Sequence, residues 1–193
     1  MTSYIPFLAF IFIGAFTPGP NNCMALSHAA RGLRSGVTFS VGVFGGMLIT
    51  MSACGLLSSF LTRHLDSAEL IMKIIGCAYM VWLAWRLWKS GGVNDGPVQG
   101  QRKLLITGCA LQLVNPKLIA YGITAFSVFI LPSFHEVTIL IWFAVLLAVV
   151  GFAGTLTWAF CGAGLKRIFQ AHPTLINRVL AVLVLVCAAS LIM

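Results

Sequence analysis

Apolar residues run along this chain in stretches of about 20 or more, parted by short polar or basic intervals, and the pattern predicts six membrane-crossing helices. The segments span roughly residues 5–30, 37–61, 70–88, 104–131, 137–164 and 175–193. Two are interrupted. In the first, Phe16-Thr17-Pro18-Gly19-Pro20-Asn21-Asn22 sets two prolines and a glycine where a continuous helix would otherwise run. Proline clashes with the preceding turn and pushes the residue before it out of the α region, so the helix should open here. In the fourth, Asn115-Pro116-Lys117 does the same. In hydrocarbon the backbone groups freed at such breaks must be satisfied by protein or by a water-filled cavity, which makes both breaks candidate parts of a binding site.

The connections alternate in charge. The first (Arg31, Arg34), the third (Arg86, Lys89, Arg102, Lys103) and the fifth (Lys166, Arg167, Arg178) are basic, while the second and fourth are near neutral or acidic. Under the positive-inside rule the odd connections are cytoplasmic and both termini lie outside. The Trp82, Trp85, Arg86, Trp88, Lys89 band fits a headgroup interface. Residues 90–100 read as a flexible loop, dividing two three-helix units at about 3–90 and 102–193 of one transmembrane domain. Each unit opens with a helix holding an interior proline and asparagine, and an odd number of crossings forces the two into opposite orientations. The expected fold is an all-α integral membrane protein of two inverted three-helix repeats, with the two breaks brought together near the midplane.

Composition agrees with the pattern. The 193 residues are 60% hydrophobic and 8% charged, with a mean hydropathy of +1.00, whereas a soluble domain carries about 25% charged residues. No Lys or Arg precedes Arg31, so a cleaved signal peptide is not expected. The net charge of +8 is explained by basic residues at segment ends, and nucleic acid is not an expected partner. Cys23, Cys54, Cys77, Cys109, Cys161 and Cys187 all lie in apolar stretches without metal-site spacing, so neither a metal nor a cofactor is expected. Gly42, Gly45, Gly46 and Gly55, with Gly151 and Gly154, offer faces for packing within the subunit or in a homo-oligomer.

The polar residues of the breaks suit a small zwitterion. A half-helix restarting at Pro20 turns its positive end toward the break and favours a carboxylate there. Asn21 and Asn22 are uncharged donors and acceptors that can hold a zwitterion or brace the broken backbone, and Thr17 adds a hydroxyl. Asn115 either satisfies the carbonyl freed by Pro116 or reaches the ligand. Lys117 lies roughly 20 Å beyond Lys103 along an unbroken helix. Its ammonium either meets a substrate carboxylate or gates the path, or else snorkels or pairs with backbone carbonyls. Tyr121 and Gln112 share its face as pathway residues. No Asp or Glu stands in the middle of a crossing, so the usual proton relay is not visible. His28 is expected to pack near an interface.

Thr17-Pro18-Gly19-Pro20-Asn21, the basic turn from Arg31 to Gly36 and Asn115-Pro116-Lys117 together resemble the LysE/RhtB family of bacterial amino-acid exporters, over essentially the whole chain. The resemblance implies a multi-pass protein of the bacterial inner membrane. It further implies efflux of small neutral amino acids and related metabolites, homoserine and threonine among the alternatives, with protons as coupling ion. Its motif residues map onto Pro18, Gly19, Pro20, Asn21, Asn115, Pro116 and Lys117. A competing enzyme-class mechanism, thiol-disulfide exchange between Cys23 and Cys109, lacks a CxxC pair or an adjacent charge to activate either thiol.

Overall fold

A computed structural model of the chain describes residues 4–61, 78, 81–82, 84–85, 88–89 and 100–192. Among these residues the fold is all-helical: α1 (Tyr4–Phe16), α2 (Pro20–Arg31), α3 (Leu33–Leu61), α4 (Gln101–Leu113), α5 (Pro116–Thr124), a π-helical stretch (Ala125–Ile130), α6 (Val137–Gly164), α7 (Lys166–Ala171) and α8 (Pro173–Ile192). Most of the predicted third segment, the second connection and the 90–100 loop up to residue 99 lie outside the described residues.

Both predicted interruptions are present. α1 stops at Phe16 and α2 starts at Pro20. α4 and α5 are bent by 54° across Val114 and Asn115. By length and hydropathy, Leu33–Leu57 and Val137–Gly164 can each cross a bilayer, and the bent pair Gln101–Leu113 with Pro116–Ile130 makes a third span. Ile5–Phe16 and Thr174–Val186 are shorter apolar helices. Large apolar side chains cover the outside, Ile5, Ile13, Ile49, Trp142, Phe160 and Val186 among them. Such a surface suits lipid and not water.

α3 is the central helix, packed along both α4 and α6, while α2 sits against α6 and α3 and α1 runs along α6. Glycine makes these approaches possible because lipid-embedded helices gain little from apolar burial and depend on close contact. A Cβ at Gly42 would stand 2.2 Å from the Leu105 carbonyl oxygen, one at Gly46 2.4 Å from that of Cys109, and one at Gly108 2.4 Å from that of Phe39. On α6, Gly154 meets the Ala15 carbonyl and Gly162 that of Leu26, at 2.5 and 2.2 Å by the same measure. α6 therefore grips the chain on both sides of the first break. Phe39, Val43, Met47 and Met51 of α3, Ala144, Leu147 and Ala148 of α6 and Phe126 fill the core between.

The turn expected from Arg31 to Gly36 shrinks to Gly32 alone, and α3 begins at Leu33 instead of Val37. Gly36 is the reason: a Cβ there would fall 2.4 Å from that of Ala29, so only glycine lets the first turn of α3 lie against α2. The fifth connection contains α7. The sixth segment starts two residues early, at Pro173, a favoured first helical position. The end of the fourth segment widens into the π-helix, with Leu131 N–H donating to the Phe126 carbonyl at 2.8 Å.

Candidate functional site

Two missing proline N–H groups define the first centre. Pro20 cannot donate to Phe16, and the Phe16 carbonyl accepts instead from the Trp158 indole at 3.1 Å. Asn22 is 6% exposed. Its Nδ2 donates to the carbonyls of Ala15 and Thr17, both at 3.0 Å. Its Oδ1 accepts from the Thr155 hydroxyl at 3.2 Å. Asn22 thus braces the break rather than presenting a free amide to a ligand. Thr17 also turns inward, its hydroxyl donating to the Ile13 carbonyl at 2.5 Å. Gly19 caps α2 in an extended conformation, φ −169°, with no side-chain cap. The first-turn N–H groups of α2 consequently have no carbonyl of their own helix to donate to.

The second centre follows the same logic. Pro116 cannot donate to the Gln112 carbonyl, which accepts from the Thr50 hydroxyl at 3.3 Å and from Asn115 N–H at 3.2 Å. The Asn115 side chain does not take the carbonyl freed by Pro116; it lies in the cavity wall and joins the two breaks. Its Oδ1 caps α5 by accepting from Leu118 N–H at 3.4 Å, and its Nδ2 donates to Asn21 Oδ1 at 3.2 Å. Because its backbone N–H and Thr50 already serve the freed carbonyl, the amide is left to join the two breaks.

Asn21 is the hub of that junction. It exchanges two hydrogen bonds with Gln112, Nδ2 to Oε1 at 2.6 Å and Nε2 to Oδ1 at 2.9 Å. Gln112 is fully buried and also donates to the Gly108 carbonyl. The Lys117 ammonium completes the contact, donating to the carbonyls of Thr17 at 3.3 Å and Pro18 at 3.4 Å. Of the roles open to Lys117 from sequence, carbonyl pairing is the one adopted. Tyr121 reaches the Ile11 carbonyl at 3.4 Å and stacks on Phe10.

Between the breaks lies a small, half-open cavity. Asn21, Asn115 and Lys117 line its polar side, with Gly19 and Pro20, while Met47, Leu118 and Gly151 line its apolar side. Of the eleven residues singled out in sequence, Gly19, Pro20, Asn21, Asn22, Asn115, Lys117 and Tyr121 are in its wall. Thr17, Pro18, Gln112 and Pro116 shape the wall from behind. Sequence reasoning missed Thr50, Met47, Gly151, Thr155 and Trp158. Thr155, only 1% exposed and four residues beyond Gly151 in a run otherwise read as apolar, carried the one usable signal.

The indole bond yields a stability prediction. Trp158→Phe keeps the ring and orphans the Phe16 carbonyl, and should lower the melting temperature of the purified protein by the equivalent of about 1–3 kcal/mol. An unchanged melting temperature would mean the carbonyl has another donor.

Among the described residues, Cys54, Cys109 and Cys161 are in no disulfide. Cys23 is buried among Leu26, Ala30, Leu180 and Val184. Cys109 lies on the α4 face that meets Gly46. Among the described residues no group of His, Cys, Asp or Glu could hold a metal.

An all-helical fold with an apolar outside and two broken helices closing on a polar cavity is that of a membrane translocator. The chain belongs to the LysE type translocator family, whose sequence profile matches residues 12–193. It is 38% identical over 187 residues to the cysteine/O-acetylserine efflux protein of Klebsiella pneumoniae, covering 96% of this chain and 95% of that one. It is also 38% identical over 183 residues to the protein of the same name from Escherichia coli K12, covering 94% and 93%. No solved structure matches it.

Proposed function

We propose that this protein exports small neutral amino acids, cysteine and O-acetylserine foremost, across the bacterial inner membrane in exchange for protons. The meeting of two helix breaks over one cavity carries the proposal, because it gathers the uncharged amides of Asn21 and Asn115 and the single cation of Lys117 around one space. A neutral zwitterion matches that lining: its carboxylate can take Lys117 and the N-terminal end of α2, and its side chain can face Met47, Leu118 and Gly151. The choice of cysteine and O-acetylserine comes from the two similar efflux proteins. The proposed topology is a single domain of six crossings in two inverted repeats, with the basic connections cytoplasmic and both termini periplasmic.

Uptake into inverted vesicles across a panel of labelled amino acids, with and without an imposed proton gradient, tests substrate, direction and coupling together. Gradient-dependent accumulation of cysteine and O-acetylserine is expected. Accumulation of homoserine or threonine instead would move the substrate assignment within the family. The thiol-exchange mechanism has its own test: replacing Cys23 and Cys109 together with serine should leave cysteine export at the parental rate. Loss of export at matched protein level would revive a redox role.

A further inference from the structure

Lys117 is an unusual occupant for this cavity. A cation in the membrane interior costs several kcal/mol unless it is held, and here backbone carbonyls of Thr17 and Pro18 hold it. The Thr17 carbonyl also accepts from Asn22 Nδ2 at 3.0 Å, so the ammonium takes its second lone pair. Two converging carbonyls are also what an α-ammonium group of an amino acid requires. The same seat therefore fits both the protein's own ammonium and the substrate's.

Gly19 supports this. Its φ of −169° is ordinary extended backbone, which any residue adopts, so its conformation does not call for glycine. What a side chain here would meet is Lys117 alone: a Cβ at Gly19 would come within 3.1 Å of its Nζ and 3.4 Å of its Cδ, so the lysine end would have to shift by a few tenths of an ångström. The glycine keeps clear the volume that the ammonium occupies.

We infer, building on the transport function proposed above, that Lys117 is a built-in stand-in for the substrate's ammonium. In the empty site its Nζ fills the Thr17–Pro18 carbonyl seat; an entering amino acid takes that seat with its own ammonium and draws Lys117 onto its carboxylate. Each charge is matched in both states, so the empty protein need not bury an unpaired cation. Selectivity follows. A ligand with an ammonium and no carboxylate must eject Lys117 and offers it nothing in return, leaving two cations in one cavity. A ligand with a carboxylate and no ammonium leaves the seat to Lys117 and the carboxylate without its second anchor.

The test measures equilibrium binding of cysteine and of cysteamine, which lacks the carboxylate, to purified full-length protein. The parental protein should bind cysteine and exclude cysteamine. Lys117→Met should weaken cysteine roughly tenfold, the loss of one charge-assisted pair, and tighten cysteamine, because the seat is vacated. The ratio of the two affinities should fall by more than tenfold. Lys117→Gln gives the same reading if the Met variant does not fold, and Gly19→Val, which crowds the seat, should weaken cysteine with Lys117 intact. Neutral variants that lose cysteine while cysteamine stays unchanged or weakens would overturn the exchange and leave Lys117 a plain carboxylate clamp, with the transport function standing. Parental protein that binds no amino acid from the panel would overturn both.

Discussion

Asn21→Ala should reduce export to background even where the protein reaches the membrane at the parental level. Asn21 is bonded to both Gln112 and Asn115, and so ties the end of the first break to both sides of the second. Its removal strands Gln112 Oε1 and Asn115 Nδ2 in a site where Gln112 is 0% and Asn115 2% exposed. Each orphaned buried group costs about 1–3 kcal/mol, so a stability loss of several kcal/mol is expected beside the transport defect. Asn21→Leu combined with Gln112→Leu separates the two effects. An apolar pair leaves one orphan rather than two and should regain part of the stability, since replacing both partners of a buried polar pair by apolar groups is far milder than removing one. Transport should not return with it. Restored transport in the double variant would reduce Asn21 to a structural brace.

The second large effect contrasts two glycines one turn apart on α3. Gly42→Val should prevent the protein from accumulating in folded form, because its Cβ would stand 2.2 Å from the Leu105 carbonyl oxygen and 2.9 Å from that residue's Cα. Those are backbone atoms that cannot move aside without parting α3 from α4, at a cost beyond about 3 kcal/mol. Gly45→Val meets nothing within 4 Å and should change stability by less than about 1 kcal/mol. Expression and thermal stability of the two variants decide it; equal tolerance would mean that α3 and α4 do not pack as closely as described.

These glycines also mark where sequence reasoning stops. Gly42, Gly45 and Gly46 look alike as a series of small residues, and only the neighbouring helix distinguishes the two that are packed from the one that is open. The breaks, by contrast, were legible, because proline acts locally: the missing N–H and the clash with the preceding turn are fixed by residues 16–20 and 115–116 themselves. That the two breaks would meet followed from crude symmetry, and they do. The donors that repair them were not legible. Trp158 and Thr50 come from helices distant in sequence from the carbonyls they serve, and nothing in their own surroundings says which carbonyl that will be, while Thr155 acts one step back, on Asn22 Oδ1. The same limit applied to the bonds of Asn22 and Asn115 to Ala15 and Leu118, which depend on how the chain turns after each break.

The claim that an amino acid seats itself between the two breaks is tested most directly by a distance. Protein carrying carbonyl-13C label at Thr17 and Pro18 and loaded with 15N-cysteine can be examined by dipolar-recoupling solid-state NMR. A hydrogen-bonded ammonium places its nitrogen about 3–4 Å from the carbonyl carbon, from a typical N···O distance of about 2.9 Å and a C=O bond of about 1.2 Å. Rapid dephasing consistent with that separation is the expected result. Saturating cysteine that is bound, yet shows no coupling to either carbonyl, would put the substrate elsewhere in the protein.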